Sequence, residues 1–141
     1  MRPESRGCPA GATRPRSRGC LGYDFPEEVL RQKLSRALAD SAQRVWVAEA
    51  DGKVAGYLHA EGYDVLYAPH MKNILGIAVS GDCRRKGIGR RLLEALKDWG
   101  KETGAKAIRL NSGETRTGAH TFYRSCGYFS DKKQLNFKKY I

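Results

Sequence analysis

The segment that most restricts the fold is a strand that runs through a basic, glycine-containing loop into a helix. Residues 71–79, MKNILGIAV, are apolar at most positions, which predicts a strand buried on both faces of a sheet. The loop that follows contains RRKGIG, residues 84–89. The helix after it is predicted from apolar residues at helical spacing, which are Leu92, Leu93, Leu96 and Trp99. A glycine turn before a helix aligns main-chain N–H groups with the positive end of the helix dipole, so this arrangement suits a phosphate or diphosphate.

The loop lacks the two common nucleotide-binding motifs. No Gly-Lys-Ser/Thr follows at P-loop spacing, and Leu92 stands where a dinucleotide-binding motif has its third glycine. The loop nevertheless has four basic residues that would add charge-assisted hydrogen bonds to a phosphate: Arg84, Arg85, Lys86 and Arg90. In the alternative interpretation, Gly87 and Gly89 only shape a turn and the basic side chains form a solvated face. The order strand, loop, helix favours the phosphate site.

The composition predicts one globular domain with a strong positive charge. The 141 residues are 40% apolar and 29% charged, and no apolar run is long enough to cross a bilayer. The net charge of +11 favours an anionic partner such as a phosphorylated cofactor, a nucleic acid or an acidic surface. The four cysteines form no CxxC pair and follow no secretory leader, so we expect free thiols, no metal site and a cytoplasmic location.

The chain divides by composition into a tail and a domain. The first twenty residues hold five Arg, three Pro and three Gly, with no large aliphatic residue after Met1. We therefore expect a disordered basic tail over residues 1–22 and a single domain over residues 23–141. The domain is predicted to begin with a helix that Asp24 caps and that has Pro26 in its first turn. Its predicted buried face consists of Val29, Leu30, Leu34, Ala37 and Leu38.

The remaining elements predict a mixed α/β fold. Asp51-Gly52 joins two strand-like runs in a tight antiparallel hairpin. Residues 106–112 read as a further strand, the stretch before Gly127 as a helix, and KQLNFKKYI, residues 133–141, as a half-exposed last strand. After the first helix the order is β-β-β-α-β-α-β, a mixed, mostly antiparallel central sheet with flanking helices.

Two motifs together resemble the GNAT superfamily of acetyl-CoA-dependent N-acetyltransferases. Residues 84–89 are similar to its acetyl-CoA loop, R/Q-x-x-G-x-G/A, and residues 119–128, AHTFYRSCGY, to its A-x-x-[FL]-Y-x-x-x-G-[FY] helix. About thirty residues separate the two motifs, as the elements between them require. The resemblance covers residues 24–141 and implies a GNAT-like fold with acetyl-CoA as co-substrate.

The resemblance also implies where acetyl-CoA binds. The pantetheine arm would lie between two strands that splay apart, residues 72–79 and 106–112, and would act like an added strand. Main-chain groups of Ile77, Ala78 and Val79 would bind it, and an N–H of this segment would stabilise the oxyanion. The diphosphate would lie on Arg84, Arg85, Lys86, Gly87, Ile88, Gly89 and Arg90.

Two further residues receive roles from the resemblance. Tyr123 would point at the sulfur and protonate the leaving thiolate, since a phenol of ordinary pKa, about 10, is a proton donor at neutral pH. Asn111 would bond the pantetheine or its phosphate. Tyr123 is therefore the predicted catalytic residue, and Tyr123 and Asn111 are both predicted to contact the cofactor.

Three features depart from the family pattern. Gly76 stands where many relatives have a glutamate that acts as the general base. Other residues could take that role through water, and the candidates are His59, Glu61, Asp64 and His70. Each of them can equally be interpreted as a solvated or packed residue. Arg116 replaces a frequent asparagine, and His120 beside the motif alanine is expected to face solvent rather than a ligand. No regular first edge strand is visible before the first helix. An open edge at the hairpin strand 44–50 would favour dimerisation.

These observations predict transfer of an acetyl group from acetyl-CoA to a primary amine, by direct attack in a ternary complex. A small-molecule amine is favoured, because a chain of this length has little extra surface to recognise a protein. Residues 110–123 are similar to aminoalkylphosphonate acetyltransferases, which suggests an anionic amine. Two alternatives stay open: acetylation of a protein lysine or N-terminus, and a nucleic-acid-binding module without catalysis. The second lacks aromatic residues interleaved with the basic loop.

Overall fold

The structure, a computed structural model, describes residues 26–83 and 86–141. In chain order its elements are helix α1 (Glu27–Ala39), strands β1 (Gln43–Ala50), β2 (Lys53–Tyr63) and β3 (Met71–Val79), a 3₁₀ turn (Gly81–Cys83), helix α2 (Ile88–Glu102), strand β4 (Ala107–Arg109) and helix α3 (Thr117–Ser125). The chain divides into two compact units, of which the first extends to Asn111 and the second is Ser112–Ile141. The sheet, α1 and α2 belong to the first unit, and α3 belongs to the second.

The four strands form one mixed sheet in the order β1-β2-β3-β4. The β1–β2 and β2–β3 pairs are antiparallel, and the β3–β4 pair is parallel. Asp51 and Gly52 close the first hairpin with φ angles of 54° and 73°, the left-handed conformations that the Asp-Gly sequence predicts. The predicted mixed α/β fold with a mostly antiparallel sheet is therefore confirmed.

The core lies between α2 and one face of the sheet. Leu58 of β2 and Leu96 of α2 are both fully buried, and Trp99 meets Trp46 of β1 edge-on at 5.5 Å between ring centroids. Lys72 of β3 is also buried, with its Nζ 3.7 Å from the centroid of the Trp99 ring. A cation over an aromatic face is a favourable way to bury an ammonium group. The apolar face predicted for this helix is confirmed.

Helix α1 departs from its predicted packing. It begins at Glu27 with Pro26 as its N-cap residue, and the predicted cap Asp24 lies outside the described residues. Ala37 is buried, but Leu34 and Leu38 are 42% and 65% exposed, so the predicted buried face is largely wrong. The spacing of apolar residues predicts that a helix has an apolar face, but it does not predict whether another element covers that face. A short turn to β1 holds the C-terminal end of the helix close to the sheet, and this is where Ala37 lies.

The predicted last strand is wrong. Residues 128–141 contain no strand, and Leu135 and Phe137 are 83% and 88% exposed. Alternating apolar residues form a strand only where a neighbouring strand accepts their main-chain hydrogen bonds, and none of the described strands pairs with this segment. Strand β4 is likewise shorter than the predicted 106–112.

Other predictions fall outside what the structure covers. The tail, residues 1–22, and the missing first strand concern residues that the structure does not describe, and dimerisation through the β1 edge stays a prediction. In the described part of the chain, no helix is both long and apolar enough to cross a membrane. Cys83 and Cys126 are free thiols.

Candidate functional site

Strands β3 and β4 pair over only three residues before they part. The parallel register runs from Met71 opposite Ala107 to Asn73 opposite Arg109, where β4 ends, and β3 extends further to Val79. A cleft opens where the strands separate, lined by Asn73, Ile74, Leu75, Leu110 and Asn111. A strand edge beside a cleft can accept an extended ligand through main-chain hydrogen bonds. The ladder therefore ends within the predicted strand 106–112, and the splaying of two strands around a cofactor stays a prediction.

A bulge in β3 lies at the point of separation. Ile74 pairs with Ala60 and Gly76 with His59, so Leu75 has no partner on β2. An extra residue of this kind bends a strand and increases its twist. The bulge therefore lies two residues beyond the last β3–β4 pair, Asn73 with Arg109.

Arg109 holds together the closed end of the cleft. Its Nη1 donates to Asn73 Oδ1 at 2.7 Å, its Nη2 donates to Asn111 Oδ1 at 3.1 Å, and its guanidinium carbon lies 4.5 Å from the centroid of the Tyr63 ring. Asn111 Oδ1 thus already accepts one hydrogen bond, and the ligand contact expected of Asn111 stays a prediction. No sequence pattern distinguished Arg109 from the other basic residues.

The predicted main-chain site on β3 is packed closely against β2. Ile77 and Ala78 are buried, and Ala78 and Val79 pair with Tyr57 and Gly56. A Cβ atom at Gly56 would lie 2.8 Å from the Ala78 carbonyl oxygen. Only glycine at residue 56 therefore lets the two strands approach this closely.

Helix α2 begins with a glycine in the left-handed conformation. Gly87 is the N-cap residue with φ 74° and ψ 14°, and no side chain caps the helix. The carbonyl oxygen of Gly87 accepts a hydrogen bond from Arg91 N at 3.0 Å, and that of Lys86 accepts one from Arg91 Nη2 at 3.3 Å. The first amides of a helix have no partner within the helix. Ile88 and Gly89 thus present main-chain N–H groups at the positive end of the dipole.

The side chains of this loop divide into an anchor and exposed cations. Ile88 is 5% exposed, and its Cγ2 approaches Gly56, so its side chain fixes the start of α2 on β2. Lys86 and Arg90 are exposed. Arg84 and Arg85 lie outside the described residues. Within the described chain, no cluster of three or more His, Cys, Asp or Glu side chains is placed to hold a metal ion.

Tyr123 lies on α3 in the second unit and is buried, with 6% of its surface exposed. Its ring centroid is 5.4 Å from that of Phe122 and 6.0 Å from that of Tyr128. The helix ends as predicted, with Gly127 at φ 91° and Tyr128 N donating to Tyr123 O at 3.0 Å. The Tyr123 ring is thus part of an aromatic cluster within its own unit.

The loop before α3 is fixed by its own hydrogen bonds. Arg116 N donates to Gly113 O at 3.1 Å, and His120 Nε2 donates to the same oxygen at 2.9 Å. His120 therefore has a structural role in the loop. Ser112 Oγ is buried and has no hydrogen-bond partner in the described structure, so a ligand group could satisfy it.

Gly76, at the position where relatives have a glutamate, is covered by a neighbouring phenol. A Cβ atom at Gly76 would lie 2.7 Å from the hydroxyl oxygen of Tyr57. The Tyr57 hydroxyl thus fills the space that a side chain at residue 76 would need. The sequence pattern did not mark Tyr57, because the contact depends on the pairing of β2 with β3.

The candidate bases lie in different environments. Asp64 Oδ1 is 3.9 Å from His70 Nδ1, and the Asp64 side chain is 80% exposed, so this pair is largely solvated. His59 is half-buried, and its Nε2 lies 2.8 Å from Gln43 Oε1. Burial lowers the pKa of the His59 imidazole below its ordinary value of 6.5, although the nearby Glu61 carboxylate acts in the opposite direction.

A family comparison identifies the class of protein to which these features belong. The model of the acetyltransferase (GNAT) family matches residues 12–128 of the chain. The chain therefore belongs to the GNAT family, and the resemblance predicted from the two motifs is confirmed.

Individual relatives place the chain within that family. Probable N-acetyltransferase camello of Xenopus laevis is 32% identical over 113 residues, which cover 77% of this chain and 47% of that protein. Aminoglycoside N(6')-acetyltransferase type 1 of Stenotrophomonas maltophilia is 25% identical over 112 residues, covering 76% and 73%. Aminoglycoside acetyltransferase AAC(6')-Iy, solved with a CoA-containing bisubstrate analogue, matches with a TM-score of 0.78 at 18% identity, covering 86% and 85%. The chain spans about half the length of the Xenopus relative.

Proposed function

We propose that the protein is an N-acetyltransferase that transfers the acetyl group of acetyl-CoA to a primary amine of a small molecule. The observation that carries this proposal is the cleft at the end of the three-residue β3–β4 ladder, in a member of the GNAT family. The related AAC(6')-Iy was solved with a CoA-containing analogue, which supports acetyl-CoA as the co-substrate.

The described residues fit acetyl-CoA in shape and charge. Strand β3 extends beyond its ladder with β4, and an extended pantetheine arm would lie along it and bond the main chain of residues 77–79. The uncapped start of α2 suits the diphosphate, and the exposed Lys86 and Arg90 add positive charge beside it. Arg84 and Arg85 would extend this charge.

The chemistry of the transfer divides between the main chain and two proton-transfer groups. A main-chain N–H near Ala78 or Val79 would donate to the thioester oxygen as it gains negative charge. Tyr123 would donate a proton to the departing sulfur. The attacking amine must be neutral, and an alkyl amine with a pKa of about 10.4 is almost entirely protonated at pH 7. A base on the protein, or a chain of water molecules, must therefore take a proton from it.

The acceptor is proposed to be a small amine because two of the similar proteins are named for the acetylation of aminoglycosides, which are small-molecule amines. The net charge of +11 further favours an amine that also carries an anionic group, such as an aminoalkylphosphonate. Cytoplasmic location stays a prediction.

Titration calorimetry with acetyl-CoA, followed by an amine panel, tests this function. We expect binding at sub-millimolar acetyl-CoA and CoA release with an aminoalkylphosphonate or an aminoglycoside, measured as free thiol. Release only with a peptide bearing a lysine or free N-terminus would instead support the protein acetyltransferase. Absence of acetyl-CoA binding, together with steeply salt-dependent affinity for DNA or RNA, would replace the enzyme with a nucleic-acid-binding module.

Gly87→Ala should weaken acetyl-CoA binding about 5- to 30-fold, because a residue with a Cβ disfavours the left-handed conformation by about 1–2 kcal/mol. The loop would then leave the conformation that presents its amides, and binding would have to restore it. The change in Kd is measured by calorimetry. Gly81→Ala is the matched control, because a Cβ there meets nothing within 4 Å and its φ is not positive. An unchanged Kd for Gly87→Ala would remove the left-handed turn from the binding site.

A further inference from the structure

A chain of three side chains runs from the end of α1 to the sheet face. Asp40 Oδ1 accepts a hydrogen bond from Ala42 N at 2.9 Å, and Asp40 Oδ2 accepts one from Gln43 Nε2 at 2.8 Å. Gln43 Oε1 in turn lies 2.8 Å from His59 Nε2. The carboxylate, the amide and the imidazole are therefore linked in series.

This series determines which nitrogen of His59 carries the proton. The two hydrogen bonds from Ala42 and Gln43 hold the pKa of Asp40 below its ordinary value of 3.8, so this carboxylate is ionised and only accepts. Gln43 must then turn its NH₂ group to Asp40 and its carbonyl oxygen to His59. Since that oxygen accepts, His59 Nε2 carries the hydrogen. His59 Nδ1 is left with the lone pair.

His59 lies on the polar face of the sheet. The buried Leu58 and Ala60 alternate with it on β2 and point to the opposite, α2-covered face. His59 pairs directly with Gly76, and Glu61, on the same face as His59, pairs with the cleft residue Asn73. The imidazole is thus one strand away from the segment proposed to bind the thioester.

Among the described residues, strand pairing defines the groups opposite His59. Val45 of β1 and Gly76 of β3 lie directly opposite it and do not titrate. Of the described ionisable groups, the Glu61 carboxylate acts on His59 electrostatically, Tyr57 lies two residues away on the same strand, and Asp40 is linked to it through Gln43.

We propose that His59 is the base that accepts the proton of the acceptor amine, and that Gln43 and Asp40 are positioning residues that fix its tautomer. This inference rests on the proposed function. His59 Nδ1 takes one proton from the ammonium, and the neutral nitrogen then forms a C–N bond to the acetyl carbon. The C–S bond breaks as Tyr123 gives its phenol proton to the sulfur, the second proton of the nitrogen passes through water to the Tyr123 phenolate, and the imidazolium releases its proton to water. The products are the amide, CoA thiol and one proton.

The pH dependence follows from the environment of His59. Only the neutral imidazole accepts a proton, so activity falls as the pH drops through the pKa of His59. Because burial places that pKa below 6.5, we expect the acid limb of kcat/KM to lie below pH 6.5.

His59→Gln is the direct test in the full chain, with acetyl-CoA and the best amine of the panel. We expect kcat/KM at pH 7 to fall about 10²- to 10⁴-fold. The remaining activity should rise with pH toward the pKa of the amine, and the acid limb should disappear. The Kd for acetyl-CoA should be unchanged. His59→Ala should regain activity on addition of imidazole, whereas exposed Glu49→Gln should match the wild type.

Two substitutions of Gln43 separate positioning from simple packing. Gln43→Met keeps the size of the side chain but removes its oxygen, so kcat should fall while the Kd for acetyl-CoA is retained. Gln43→Glu places a carboxylate against the Nε2 hydrogen and should move the acid limb to higher pH. If Gln43 only packed against its neighbours, Gln43→Met would retain the wild-type kcat.

The outcomes are distinguishable. A wild-type protein that acetylates no amine would overturn the proposed function and this inference together. An active wild type with an unchanged kcat/KM and acid limb in His59→Gln would overturn this inference alone. Thermal unfolding shows whether each variant is folded. If His59→Gln does not fold, the test passes to Gln43→Glu. An acid limb that does not move in folded Gln43→Glu would then overturn this inference.

Discussion

Replacing Tyr123 by phenylalanine should lower kcat about 10²- to 10⁴-fold and leave the Kd for acetyl-CoA nearly unchanged. The substitution removes the phenol hydroxyl, which is the proposed proton donor to the sulfur. It keeps the buried ring that packs with Phe122 and Tyr128. Steady-state kinetics gives kcat, and titration calorimetry gives the Kd.

Tyr67→Phe is the matched control for this substitution, because Tyr67 is 86% exposed and the same hydroxyl is removed. Its kcat should equal that of the wild type. If Tyr123→Phe retained full turnover with the same amine, Tyr123 would have no part in the transfer, and the sulfur would leave without a proton from it.

Gly56→Ala should reduce the free energy of unfolding by about 1–3 kcal/mol, which is typical of an overpacked interior. The added methyl group would lie 2.8 Å from the Ala78 carbonyl oxygen and 3.3 Å from Ile88 Cγ2. Both neighbours are held, one by strand pairing and the other by burial, so β3 or the start of α2 must shift. Urea unfolding followed by tryptophan fluorescence measures the change. The Kd for acetyl-CoA should rise as well.

Gly118→Ala is the matched control and should not reduce the free energy of unfolding. Gly118 lies in α3, and a Cβ there meets nothing within 4 Å. Gly118 is the second residue of this helix, and alanine loses less backbone entropy than glycine on entering a helix, so this variant should be at least as stable as the wild type. Equal stability of Gly56→Ala and the wild type would show that β2 and β3 separate without penalty.

Local signals in the sequence predicted the elements that depend on neighbouring residues. Asp51-Gly52 predicts its hairpin because only a few residue types tolerate two left-handed positions in succession. The apolar face of α2 predicts burial because a sheet is present to cover it. The predictions of a last strand and of a buried face on α1 were wrong for one reason. Each element needs a surface to pack against, and an alternating or helical pattern does not indicate whether that surface exists.

The candidate site divides in the same way. The glycine loop and Tyr123 are marked by motifs, so their positions could be predicted from the sequence. The contacts of Arg109 with Asn73, and of Tyr57 with Gly76, join residues far apart in the chain. Strand register sets such contacts, and a bulge at Leu75 alters that register in a way that no residue type at this position reveals.

The three-residue ladder makes the β3–β4 pair the least extensively hydrogen-bonded strand pair of the sheet. Strands β1 to β3 are joined by eight-residue ladders on each side of β2, whereas β4 is held by its short ladder and by the Arg109 bridge. Hydrogen bonds at such a margin open at lower free energy than those in the interior of a sheet. An extended ligand that binds at this edge can therefore separate β4 from β3 while the hydrogen bonds between β1, β2 and β3 are kept.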